Sequence, residues 1–190
     1  MTDAMQAARA AAAGPGYGFP RPLNLDDPTY IIGPGPNGAE FARNLDPRVS
    51  AIALNKACEL KAWRYWLCID ANAYRCNWYH AVPDSSIAIM GEWAKDRRAV
   101  YTMALEDCPD GVGVCGAALN ICATAGLGCV GLVGVDMESG YYDGTPSSYS
   151  GEWAHRPHLD ALIEHIGKQT GMRVYTATPT LLHVPQWTAM

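Results

Sequence analysis

At 190 residues, 49% hydrophobic and 17% charged, the chain has a globular composition that can bury a core without disulfide or metal staples. A formal net charge of -5 excludes a broad basic footprint for duplex nucleic acid, though not a local pocket for one phosphorylated ligand. No apolar run approaches the roughly 20 residues that cross a bilayer. The amino terminus also lacks the charged and apolar regions of an export signal, so the sequence reads as cytoplasmic.

Residues 1–27 read as an Ala-rich segment, a frayed helix followed by a Gly/Pro linker. Residues 28–190 read as one domain. Pro28-Thr-Tyr-Ile-Ile32 is a β-branched and aromatic run that ends at glycine, the mark of a buried strand. Gly33 to Gly38 form a turn and Ala39 to Asn44 a short helix. Further strands are expected at Ser50–Leu54, Tyr65–Ile69, Ser86–Met90, Ala99–Met103, Cys129–Val135 and Arg173–Thr176. Helices are expected at Lys56–Ala62, Ala71–His80, Gly116–Ala125 and Pro157–Gln169, the last with Pro at its start and Gly171 just past its end. Tyr141 to Gly151 is a Gly/Ser/Tyr loop long enough to act as a lid. Strands and helices alternate and the strands are apolar on both faces. The expected fold class is therefore α/β: a single Rossmann-like domain, its mostly parallel sheet covered by helices on both faces.

Seven cysteines, an odd number without a CxxC pair, read as reduced small hydrophobes. Cys108, Cys115, Cys122 and Cys129 fall seven apart, but Gly and Pro interrupt the stretch and no single helix can present four sulfurs. No structural metal is expected.

In open parallel sheets, ligands sit outside the carboxyl ends of the strands, so the residues that follow strands are the candidates. They are Gly33-Pro34-Gly35-Pro36-Asn37, Asn55, Asp70 and Asp136, with Cys115-Gly116 ahead of the Ala-rich helix. Gly35 and Gly38 would let the backbone approach a phosphate or sugar. On that view Gly35→Val removes binding and spares the fold. The plain alternative is a tight turn. Asn55 and Asp70 could hydrogen-bond a base or sugar, or simply cap the segments after them. Tyr141, Tyr142 and Tyr149 could close over a site and donate to a phosphate. His155, read as lying on the loop, is the natural general base. His158 follows Pro157 in what reads as the first helical turn, a position that opposes proton uptake by a base.

The order Ile-Ile-Gly-Pro-Gly-Pro-Asn37, Leu-Asn55, Cys-Ile-Asp70 and Gly-Val-Asp136, followed by Gly-Glu-Trp-Ala-His155 and Arg-Val-Tyr-Thr-Ala-Thr-Pro179, resembles the bacterial lipooligosaccharide sialyltransferases. It is also similar to the motility-accessory proteins of flagellin glycosylation and to the archaeal 6-hydroxymethylpterin diphosphokinases. The resemblance spans roughly Tyr30 to Pro185. It implies a Rossmann-like glycosyltransferase fold that binds a cytidine nucleotide sugar without a metal. Gly33, Gly35 and Asn37 would hold the donor, Asn55 would match an asparagine after the second strand, and Cys115-Gly116 would replace a Ser-Gly. Tyr142 would replace a phosphate-contacting tyrosine, and His155 would match the base. Asn37 departs from the family's serine and Asp70 from its asparagine. The family also places a tyrosine near Glu138 and carries a basic carboxy-terminal segment that this sequence lacks.

The leading expectation is thus a small transferase with a nucleotide-activated donor, compatible with a homo-oligomer and needing no cofactor. One alternative is a diphosphokinase-like enzyme with magnesium held by Asp70 and Asp136. The other is a nucleotide-binding or sequestering module without chemistry.

Overall fold

The computed structural model describes residues 25, 27, 29–70, 72–91, 99–103, 112–137, 140–146 and 152–187, with backbone alone over 99–103 and 152–154. The expectations for residues 1–24, Cys108, Glu138 and Tyr149 lie outside the described residues.

Seven strands form one sheet: β1 (Thr29–Ile32), β2 (Ala51–Leu54), β3 (Tyr65–Cys68), β4 (Ile87–Gly91), β5 (Ala99–Met103), β6 (Cys129–Val133) and β7 (Arg173–Thr176). Their order is β5-β4-β3-β2-β1-β6-β7, and every neighbouring pair is parallel. The order reverses at β1, which pairs with β2 on one side and with β6 on the other. That reversal is the topological switch point of an open α/β sheet, where a crevice opens beyond the strand ends.

The period-2 alternation of a strand explains why these short runs are apolar throughout. Ile31, Ile52, Leu54, Tyr65, Leu67, Ile89, Val130 and Leu132 join one core cluster, and their neighbours Ile32, Ala51, Ala53, Trp66, Cys68, Ala88, Met90 and Val133 join another. The first core is covered by helices α3 (Gly113–Thr124) and α4 (Glu152–Thr170). The second lies under shorter pieces: α1 (Ala39–Asn44), α2 (Asn77–His80) and the 3-10 helices at Asn55–Glu59 and Ala73–Arg75. Trp66 is fully buried there, with Trp78 and Tyr79 packed edge-on to its ring.

Several helix boundaries differ from the sequence reading. The stretches after β2 and β3 are one or two turns of mostly 3-10 helix instead of the longer helices expected. Helix α3 starts at Gly113, so Cys115 and Gly116 lie inside its first turn and not ahead of it. Helix α4 starts at Glu152, with Pro157 inside it. A proline so near an amino terminus removes a single intrahelical bond, which a helix packed along its length tolerates. His155 consequently sits in the first turn of α4, and His158 lies beyond that turn.

Candidate functional site

The chain leaves β1 and β6 side by side. Gly33 N donates to Val133 O at 2.7 Å, and Gly35 N donates to Gly134 O at 2.8 Å, extending the pairing past the strand ends. A Cβ on Gly33 would stand 2.4 Å from Gly134 O, and one on Gly35 would stand 2.5 Å from both Gly134 O and Asp136 Oδ2. On Gly38 it would meet Gly134 Cα at 2.4 Å. Gly134 itself has φ +62, a conformation that glycine adopts without strain. The close approach these glycines permit is thus to the neighbouring loop. This corrects the expectation that Gly35→Val spares the fold, since the added side chain would collide with Asp136 and the Gly134 carbonyl.

Asp136 fastens the seam. Only 2% exposed, it accepts a hydrogen bond from Asn37 N at 2.8 Å, while its carbonyl takes one from Leu181 N at 3.0 Å. Beside it a cavity of about 160 Å³ opens at the switch point. Gly33 to Gly35 and Leu54-Asn55 form one wall, and Val112 to Cys115 form a second. Gly134 to Met137, Gly140, Tyr141, His155 and Leu159 complete it. Helix α3 lines this space with its amino-terminal turn, Val112 to Cys115. Such a helix end favours an anion, through backbone N–H groups and the helix dipole.

Asn55 at 46° and Met137 at 60° are the non-glycine residues with positive φ among the described ones, and both line the cavity. Each such conformation costs on the order of 1–3 kcal/mol and collects at functional sites. Two hydrogen bonds hold Asn55 at the end of β2. Its carbonyl accepts from Trp66 Nε1 at 2.9 Å, its Nδ2 donates to Asp70 Oδ2 at 3.0 Å, and β2 ends directly before it. Its Oδ1 is buried without a hydrogen-bond partner among the described residues, a situation that costs about 1–3 kcal/mol. Partial desolvation pushes the Asp70 carboxyl up from the ordinary range, and the Asn55 amide pulls it back.

A clamp closes the far side. Lys56 Nζ meets Asp143 Oδ2 at 2.5 Å and Thr145 Oγ1 at 3.1 Å, and it lies 5.0 Å and 5.6 Å from the ring centres of Tyr141 and Tyr142. The Lys56 ammonium, together with the Thr145 hydroxyl, holds the Asp143 carboxyl well below the usual range. Tyr142 N donates to Pro34 O at 2.9 Å and its hydroxyl donates to Glu59 at 2.7 Å. Burial, and then that carboxylate, push the Tyr142 phenol up. Residues 140–146 are therefore already fastened over the strand ends.

The structure brings Gly33, Gly35, Asn55, Cys115, Asp136 and His155 around one cavity. Four other candidates stand outside its lining. Asn37 is tied to Asp136 through its backbone, and Asp70 touches the site through Asn55. Gly116 packs α3 closely, where a Cβ would stand 2.3 Å from Val112. Tyr142 faces Glu59, and Tyr141 takes the place on the wall. His158 is exposed and outside the lining. Cavity access thus separates the two histidines, and helix position does not favour His155 in the way expected. Burial pushes the Cys115 thiol up to about 12, so at neutral pH it is a protonated, apolar wall group. Sequence reasoning missed Lys56 and Met137, although each directly follows a residue it did single out. Among the described residues, no three His, Cys, Asp or Glu side chains gather as a metal ion requires. No described helix is long and apolar enough to cross a membrane.

No family model matches the chain, and no curated protein matches it. Among solved structures it is similar to the sialyltransferase CstII from Campylobacter jejuni, determined in complex with a substrate analogue, CMP-3FNeuAc. The TM-score is 0.54 at 10% identity, over 84% of this chain and 85% of that one. At that identity the likeness is one of architecture: the chain has an open, parallel, Rossmann-like α/β fold.

Proposed function

We propose that the protein is a small glycosyltransferase-like transferase that binds a nucleotide-activated donor in the switch-point cavity. The observation that carries this reading is the convergence of two strained residues, Asn55 and Met137, on a cavity that the start of α3 also lines. Strain of that kind persists where the surrounding structure enforces it for a purpose, and the helix end suits a phosphate. The fold likeness to an enzyme solved with a CMP-sugar analogue adds support.

In this reading Gly33, Gly35 and Asn37 shape the loop at the donor, Asn55 meets a polar donor group, and Asp136 holds the loop in place. Cys115 and Gly116 set the approach of α3, Asp70 acts through Asn55, and Tyr142 anchors the loop that carries Tyr141. His155 is the general base. An acceptor hydroxyl oxygen bonds to the anomeric carbon, the bond from that carbon to the donor phosphate breaks, and the hydroxyl proton passes to the His155 ring. The nucleotide leaves with the bonding electron pair. The magnesium alternative needs Asp70 and Asp136 on one ion, whereas among the described residues no three His, Cys, Asp or Glu side chains gather as a metal ion requires.

The test is a thermal-shift screen with CMP, UMP and their sugar conjugates, with magnesium or with EDTA, since a ligand of the native state raises stability by mass action. Binding and turnover in EDTA are expected. Strict magnesium dependence would favour the diphosphokinase reading, and binding without turnover would favour a sequestering module.

A further inference from the structure

From Gly33 to Gly38 the backbone has no hydrogen left to donate to a ligand. Gly33 N donates to Val133 O at 2.7 Å, Gly35 N to Gly134 O at 2.8 Å and Gly38 N to Gly35 O at 3.3 Å. Asn37 N donates to Asp136 Oδ2 at 2.8 Å. Pro34 and Pro36 carry no N–H. Across the seam, Gly134 N is taken by Thr178 Oγ1 at 2.9 Å. A glycine-rich loop cradles phosphate through backbone N–H groups turned toward it, and here those hydrogens are consumed within the fold. The charges point the same way. Among the described residues no Lys or Arg lines the cavity, and the carboxylate in its lining belongs to Asp136, buried in the same wall. That charge acts through its field and not by contact, and burial spares it much of the screening an exposed charge suffers. The two cations that directly follow lining residues in the chain are engaged elsewhere. Lys56 is held by Asp143 and Thr145, and Arg156 Nη2 meets His183 Nε2 at 2.8 Å. Residues 104–111 and 138–139, which lead into lining residues, contain Glu106, Asp107, Asp110 and Glu138 and no Lys or Arg.

We infer that the wall built from the Gly33–Asn37 loop and the Gly134–Asp136 turn selects by charge: it takes an uncharged or cationic group and turns away a carboxylate or phosphate. An anionic group of the ligand is left to the opposite wall, at the start of α3. The inference rests on the nucleotide-donor reading for its ligand class. His155 lines the same cavity, so the transferred sugar, whose anomeric carbon the acceptor attacks there, is the part of the donor enclosed. That sugar is therefore a neutral or amino sugar and not an acid sugar.

The experiment reads the potential of each wall with charged thiol reagents. Met137→Cys puts a thiol beside Asp136, and Val114→Cys puts one in the first turn of α3; both positions line the cavity and are half-buried. Each full-length variant is treated with a cationic trimethylammonium and with an anionic sulfonate methanethiosulfonate. Peptide mass spectrometry separates labelling at the new position from that of the native cysteines. The ratio of the two rates cancels the acidity of the thiol itself. That cation-to-anion ratio should be about tenfold or more higher at position 137 than at position 114, and the gap should narrow in about 1 M salt. Pro34→Cys reports from the same wall if Met137→Cys fails to fold. Equal or reversed ratios would overturn the inference. UDP-glucose and UDP-glucuronic acid then test the ligand, since they differ by one carboxylate. The wild type should bind the neutral sugar about tenfold or more tighter, and equal affinity or a preference for the acid would also overturn the inference. Should no nucleotide or nucleotide sugar bind, the nucleotide reading fails, and the reagent ratios alone decide the charge preference of the wall.

Discussion

The same glycine-to-alanine substitution should have opposite effects in the seam and in helix α4. A methyl group added at Gly35 would sit 2.5 Å from Asp136 Oδ2 and 2.5 Å from Gly134 O. Asp136 could swing aside only by giving up its bond to Asn37 N, and a hydrogen bond to a charged group contributes about 1.5–3 kcal/mol. The Gly134 carbonyl cannot swing, because it accepts from Gly35 N itself. The loop must therefore lift, at the cost of about 1–3 kcal/mol typical of overpacking. A loss of about 2 kcal/mol lowers the melting temperature of a chain this size by about 4–8 °C. Gly167 lies inside α4, and a Cβ there would find Met172 O at an ordinary 3.5 Å. Gly167→Ala should gain about 0.5–1 kcal/mol through helix propensity and raise the melting temperature by about 1–4 °C. Thermal denaturation followed by circular dichroism reads both. A Gly35→Ala protein that melts with the wild type would refute the seam as the reason for these glycines.

His155→Ala should lower transfer by about a hundred- to ten-thousand-fold while leaving donor binding intact, and His158→Ala should change much less; the reverse ranking in steady-state assays would reassign the base. Asn55→Gly should leave stability within about 1 kcal/mol of wild type, since relief of backbone strain and of the unmet oxygen offsets the lost bond to Asp70. Thermal shift with CMP should nevertheless show weakened binding. Lys56→Met should speed amide hydrogen exchange over residues 140–146 without altering exchange in β1 to β4; unchanged exchange would mean that the loop does not depend on the clamp. The Asp143 contribution to that clamp follows from its lowered carboxyl. It is fully present above the free carboxylate value of about 4 and is lost as pH falls through the depressed one, so loop exchange corrected for its intrinsic pH dependence should rise only in strong acid.

Much of the sheet is legible in the sequence because its central strands, such as Ala51–Leu54 and Tyr65–Cys68, are buried on both faces. Ala99–Met103 and Arg173–Thr176 need nothing beyond their apolar and β-branched runs to be placed correctly. Helix starts are harder. Pro157 suits a first turn, and only tertiary packing reveals that α4 begins at Glu152. The segment after Asn55 has helical composition but is drawn into 3-10 geometry, where Trp63 Nε1 bonds Ala57 O at 3.0 Å. Strand ends were enough to nominate Asn55 and Asp136 as candidates. The Lys56 clamp was not legible, because its partners lie 87 and 89 residues away and no local pattern announces such a pair.

The strand order also bears on how the molecule is assembled. Strands β1 to β5 follow one another in both chain and sheet, so they can pair as they emerge. β1 must then wait with one edge bare until β6 arrives, about a hundred residues later, to set Thr29 against Val130 and Ile32 against Val133. Closing so long a loop is slow, and an exposed apolar edge in the meantime invites pairing with another chain. The loops that follow both strands contribute to the cavity wall, so it is completed only at that late docking step. Variants that delay the arrival of β6 would therefore lower the yield of binding-competent protein through aggregation during synthesis, even where the finished molecules are as stable as the wild type.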